Sequence, residues 1–219
     1  MLYRYLFVAH FLLVNVVALG FLGAAYIQGW LDPIIDAPLL ELTGVICAVF
    51  VYGMALAAWK IWQTSRQTVE VEGGQPRPGT PAYKYSEALA SRDERQIDRA
   101  VEALRLTLSN RIVVVRHIAN ALVLLGLIGT VIGFIISLSG VDPTAASDAN
   151  KVGAMVATLI SGMSVALNTT LVGSILYVWL IVNHRILATG TVRLLTTVLH
   201  MPGTDADAVS TAGRREAAD

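Results

Sequence analysis

Residues 117–141 read HIANALVLLGLIGTVIGFIISLSGV, twenty-five residues without an Asp, Glu, Lys or Arg. A helix rises ~1.5 Å per residue and the hydrocarbon core of a bilayer is ~30 Å thick, so about 20 apolar residues cross it. Three further charge-free runs, residues 5–31, 42–59 and 152–184, hold 27, 18 and 33 residues. Four such runs, in a chain of 219 residues that is 55% hydrophobic and only 15% charged, predict an all-α integral membrane protein with four transmembrane helices. The last run exceeds the bilayer and is expected to tilt or protrude. The first, preceded by Arg4, is too long for the roughly 7–15-residue apolar core of a secretion signal and reads as an uncleaved anchor.

Lys and Arg are retained in cytoplasmic segments and scarce in short translocated loops. Arg4, the ten basic residues from Lys60 to Arg116, and Arg185, Arg193, Arg214 and Arg215 fall on one side, which leaves only Lys151 opposite. Both termini are therefore expected in the cytoplasm. The outer loops carry Asp32, Asp36, Glu41, Asp142 and Asp148, with Pro33, Pro38 and Pro143 as turn formers. Trp30, Trp59 and Trp62 stand at span ends, where an indole anchors in the headgroup layer, whereas Trp179 lies deeper and reads as lipid contact or packing.

Organisation follows from the breaks. Residues 1–62 form an N-terminal transmembrane hairpin, 63–110 a cytoplasmic hinge and amphipathic helix, 111–199 a second hairpin, and 200–219 a small, polar tail expected to be disordered beyond Pro202. The hinge is EGGQPRPGTP, residues 72–81; Thr80 and Pro81 then make a helix-start pair. With no Pro or Gly from there to Gly126, one long helix is expected to enter the membrane as a cytoplasmic extension of the third span. Leu89, Ile97, Val101, Leu104 and Leu108 recur on one face of it and should pack sideways; the alternating charges from Arg92 to Glu102 suit intrahelical pairs on a solvated face.

The third and fourth spans combine glycines with hydroxyls at helical intervals. Gly126, Gly129, Gly133 and Ser137 share a stripe nearly free of side chain, with Gly129 and Gly133 a GxxxG pair suited to a close helix crossing. Thr130 adjoins it. In the fourth span Thr158, Ser161, Asn168 and Thr169 fall near one face, and Gly162, Ala166, Thr170 and Gly173 on a neighbouring one. A membrane Thr can bond back to its own helix, but the Asn168 amide needs several partners or water.

Several function classes are excluded or disfavoured. Sixteen basic against sixteen acidic residues give no field to gather nucleic acid. The single cysteine, Cys47, allows no internal disulfide and reads as lipid-facing or core filler; no Cys/His cluster suggests a metal, and no nucleophile with its base or phosphate loop suggests an enzyme. No span carries a central Asp, Glu, Lys or Arg; His10 lies in the inner part of the first span, and His117 and His184 lie near span ends in interfacial positions. If the chain lines an ion path, its hydroxyls supply hydrogen bonds and order water, and a carboxylate must come from another polypeptide. A four-helix scaffold without ion conduction is the structural alternative, and a small solute exporter is disfavoured by the missing intramembrane charge.

Leu125-Gly126-Leu127-Ile128-Gly129-Thr130-Val131-Ile132-Gly133, followed by Gly162-Met163-Ser164-Val165-Ala166-Leu167-Asn168-Thr169-Thr170-Leu171-Val172-Gly173, resembles the paired inner-helix motifs of the MotA/TolQ/ExbB proton channel family. With the helix leading into the third span, the resemblance covers roughly residues 85–185. It implies a homopentamer in the bacterial inner membrane around a dimer of a single-span MotB/TolR/ExbD-like partner. The partner's aspartate would carry H+ (or Na+) past threonines of the inner helices, without a resident cofactor or metal, and ion flow would become mechanical work. By motif position Thr130 and Thr170 face the ion path, with Thr169 a neighbouring candidate, while Gly126, Gly129, Gly133, Gly162 and Gly173 pack the helices. Three-span members carry a glutamate where this chain has Val165, so four spans resemble the MotA-like topology. The short 63–110 segment departs from flagellar members, and the short tail departs from those tied to anti-phage defence.

Overall fold

The computed structural model describes residues 2–29, 40–73, 77–91, 93–141 and 149–200. The expected outer-loop turns, Trp30 and the polar tail lie outside the described residues. Among the described residues, five helices account for the regular structure: α1 Leu2–Ile27, α2 Leu40–Glu72, α3 Pro81–Ser91, α4 Glu94–Ser139 and α5 Ala149–Leu199. Four of them, all but α3, are long and apolar enough to cross a membrane, and the fold is all-α with no strand among the described residues.

Local chemistry sets the helix ends. α1 closes where Gly29 takes a φ of 73°, a left-handed value that its missing Cβ permits. Gly79, with φ 84°, turns the chain into α3, whose first turn is capped when the Tyr83 amide donates to Thr80 Oγ1 at 3.3 Å. α2 continues as helix to Glu72, where the hinge read at residues 72–81 begins, because nothing between Lys60 and Glu72 breaks it.

The single helix expected from Pro81 is instead two. α3 ends at Ser91, where Ser91 Oγ donates to the Ala88 carbonyl at 2.7 Å, and α4 begins afresh at Glu94. Asp93 is the new N-cap: its Oδ1 accepts from the Arg95 amide at 3.0 Å and its carbonyl from Gln96 and Ile97 at 2.9 and 3.0 Å. A side-chain acceptor can start a new helix without any Gly or Pro.

The chain divides into two compact units. In one, made of residues Met1–Phe11, Ala58–Val114 and Arg185–Asp219, the core comprises Val71, Ala82, Tyr85, Leu104, Leu108, Leu194 and Val198. Leu89, Ile97 and Val101 pack against this core, so the apolar face read from the sequence does pack sideways. Arg111 Nη1 donates to Gln67 Oε1 at 2.8 Å and ties α4 to the prolonged α2.

The other unit, Leu12–Ala57 and Val115–His184, holds most of the charge-free runs. Ile46 and Ala57 of α2 are fully buried, as are Val115, Ala119 and Leu122 of α4. Gly53 of α2 admits Ile118 and Leu180, each with an atom 2.8 Å from where a Cβ would stand. α1 is peripheral, with no residue of its apolar segment Val8–Ile27 buried, and Cys47 is exposed, so it does not fill the core of the chain.

α5 carries a buried seam through Gly162, Val165, Thr169, Gly173, Leu176, Leu180, Asn183, Leu187, Thr191, Leu194 and Val198. At ~1.5 Å per residue this helix of 51 residues is about 75 Å long, more than twice the ~30 Å thickness of the hydrocarbon core.

Candidate functional site

The site is the antiparallel crossing of α4 and α5. Gly126, Gly129, Gly133 and Ser137 are all buried, and each faces α5. A Cβ on Gly133 would lie 2.7 Å from the Ala166 nitrogen and 2.7 Å from the Gly162 carbonyl; one on Gly173 would lie 2.8 Å from the Leu122 carbonyl. One on Gly126 would be 3.2 Å from the Thr169 carbonyl. Backbone thus meets backbone, which only glycine allows on both sides.

Two hydroxyls, one from each helix, pin the crossing. Ser137 Oγ is within 3.1 Å of both the Gly133 carbonyl of its own helix and the Leu159 carbonyl of α5. Thr170 Oγ1 donates to the Gly126 carbonyl of α4 at 3.0 Å. Such interhelical bonds are worth about 0.6–1.7 kcal/mol each in a membrane. Spacing alone marks Ser137 as a small residue of the stripe; its second role depends on the Leu159 carbonyl, 22 residues away.

The three threonines singled out by the sequence differ in environment. Thr169 is buried against Gly129, and its hydroxyl stays on its own helix, 3.1 Å from the Val165 carbonyl and 3.0 Å from that of Ala166. Thr170 is half-buried and bonded across the crossing. Thr130 is half-buried and donates to the Leu127 carbonyl. The Thr130 and Thr170 hydroxyls thus rest on adjacent carbonyls of α4. Thr130 also lies on the wall of an open, largely apolar hollow of about 400 Å³, lined with Val131, Phe134, Ile135, Met163, Ala166 and Leu167.

The face assignment on α5 needs correction. Thr158 and Thr169 share the α4-facing side with Gly162 and Gly173, since a Cβ on Gly140 would collide with Thr158. Ser161 does not join them: it is exposed, as is Ser164, and Asn168 is half-buried. The α4 contact spans more of the wheel than two separate faces allowed.

A polar cluster went unread. Asn15 Nδ2 donates to Asn183 Oδ1 at 2.8 Å, and Trp179 Nε1 donates to Asn15 Oδ1 at 2.9 Å. Asn183 Nδ2 also reaches the Trp179 carbonyl at 3.0 Å, and the Trp179 ring meets Phe50 with centroids 5.1 Å apart. Trp179 therefore packs, the second of the two readings its depth allows, and its indole N–H is satisfied as burial in an apolar medium requires. The signal was two asparagines in charge-free runs. His184 Nε2 is buried without a hydrogen-bond partner among the described residues.

A family model for the MotA/TolQ/ExbB proton channel family matches residues 82–199, more than half of the chain. The chain belongs to that family. The match takes in α3, α4 and α5, and so includes the whole crossing. No curated protein and no solved structure matches the chain. Membership of a membrane channel family, together with four apolar helices, makes this a multi-pass membrane protein.

Proposed function

We propose that this MotA/TolQ/ExbB family member is the pore-lining subunit of a pentameric channel. With a dimer of a single-span MotB/TolR/ExbD-like partner it couples inward H+ (or Na+) flow to mechanical work. The observation that carries the reading is Thr130, half-buried on the wall of an open hollow whose back is the tight glycine crossing. A helix from the partner seated against that face would bring its aspartate to a hydroxyl in spans that hold no acidic or basic residue of their own. Thr170 and Thr169 flank the path from the crossing side. Ser161 and Ser164, exposed within the apolar run of α5, suit contact with neighbouring subunits better than contact with lipid. The distribution of Lys and Arg supports a place in the bacterial inner membrane with both termini cytoplasmic.

One set of contacts favours a second reading, a scaffold without conduction: the Ser137, Thr169 and Thr170 hydroxyls all rest on carbonyls within the chain. Ion flux through the reconstituted complex separates the two. Under the channel reading Thr130→Val lowers it by roughly tenfold or more, the worth of one hydrogen bond to a charged group at about 1.5–3 kcal/mol. Assembly, followed by native mass spectrometry, is unchanged. Full flux in Thr130→Val would remove Thr130 from the ion path, whereas no flux through the wild-type complex, or a complex lacking any single-span Asp-bearing chain, would favour the scaffold.

A further inference from the structure

We infer that Trp59, Trp62, Arg66 and Arg77 form a site for the headgroup of an anionic phospholipid. The inference rests on the chain being a membrane protein and is independent of whether it conducts ions. Trp59 closes the charge-free run 42–59 and so marks the level at which α2 leaves the hydrocarbon. Trp62 follows one turn on. Their rings are exposed, at 67% and 62%.

Arg66 stands about 10 Å further along α2, beyond most of the headgroup layer if its side chain pointed away from the bilayer. It points back. Side chains on a helix lean towards its N-terminus, which for α2 at this point is the membrane side. The Arg66 guanidinium carbon accordingly lies 6.0 Å from the centre of the Trp62 ring. Arg77 is brought to the same place by the turn before α3, where Thr80 Oγ1 donates to the Arg77 carbonyl at 2.7 Å.

Glu70 holds the two arginines together: its Oε1 is 3.9 Å from Arg66 Nη2 and 3.4 Å from Arg77 Nε. One carboxylate between two guanidiniums leaves a single positive charge and most of their N–H donors open. The arginine side chains remain 50% and 64% exposed. These groups line a cavity of about 280 Å³. A phosphodiester carries one negative charge and accepts the planar guanidinium fork, while the indoles cover the glycerol and upper acyl carbons. A zwitterionic headgroup would add an ammonium to an already positive site.

The test is native mass spectrometry of the delipidated whole protein, titrated with phosphatidylglycerol and with phosphatidylcholine of the same chains. The expected result is retention of phosphatidylglycerol at roughly tenfold lower concentration than phosphatidylcholine, lost in R66Q/R77Q and kept in R99Q, which removes a charge elsewhere. R66K/R77K, which keeps charge but not the fork, should recover part of the preference, and this guards against a variant that merely misfolds. Inorganic phosphate at millimolar concentration should not displace the lipid. No preference in the wild type, a preference surviving R66Q/R77Q, or displacement by free phosphate would each overturn the assignment.

Discussion

Gly133 and Gly23 both lie in apolar helices, yet a side chain at one meets backbone and at the other meets nothing within 4 Å. Gly133→Leu is therefore expected to separate α4 from α5 and to abolish assembly, whereas Gly23→Leu on peripheral α1 should leave thermal unfolding in detergent unchanged. A comparable loss in both would mean that the crossing is not the weak point. The sequence discloses this contrast in part: the three-four-four spacing of Gly126, Gly129, Gly133 and Ser137 announces a close approach, but spacing does not say which carbonyls the hydroxyls reach. Thr169 and Thr170 are neighbours in sequence and look equivalent there. One turns into the crossing against Gly129 and the other bonds the Gly126 carbonyl, a distinction made by 100° of rotation and by the helix opposite.

Among the elements, spans were legible because lipid demands length and apolarity of each run on its own. Contacts between helices distant in sequence were not, and the Asn15, Trp179 and Asn183 cluster is the clearest case, joining residues more than 160 positions apart. Because each amide satisfies the other, a double-mutant cycle of Asn15→Leu and Asn183→Leu should give a coupling of about 0.6–1.7 kcal/mol by unfolding in mixed detergent. A coupling near zero would show that α1 is held by other contacts. The break between α3 and α4 was legible in principle, since Asp93 followed by Gln96 has the spacing of a capping box. Its signal is quieter than a proline's. Asp93→Ala should cost about 1 kcal/mol, seen as faster hydrogen exchange in the amides of residues 94–97 with the core of α4 unaffected. Uniform acceleration along α4 would instead mean that the cap supports the whole helix.

For the molecule as a whole, two media require two kinds of cohesion. The unit containing Leu104, Leu108, Tyr85 and Leu194 has a conventional side-chain core, and Leu104, 2% exposed, sits within it. If water surrounds that unit, as the placement of Lys and Arg leads one to expect, Leu104→Ala should cost about 2–5 kcal/mol by chemical denaturation. A cost under ~1 kcal/mol would argue that this unit too is immersed in lipid, where leucine gains little from leaving its surroundings. The apolar unit relies on closeness of backbones, because burying a leucine away from acyl chains yields no comparable gain.

The seam of α5 adds a further constraint. From Gly162 to Val198 the seam, with Gly190 buried beside Thr191, advances in ten steps over 36 residues, an average of 3.6, the natural pitch of an untwisted α-helix. The helix therefore behaves like a splined shaft, with its teeth in phase along their whole length. Adding or removing one residue would turn everything beyond it by about 100°, while a change of seven would turn it by only about 20°. Such a shaft tolerates a change of length only in strides close to whole turns, so the spacing between its polar and glycine positions matters to the fold as much as their identities do.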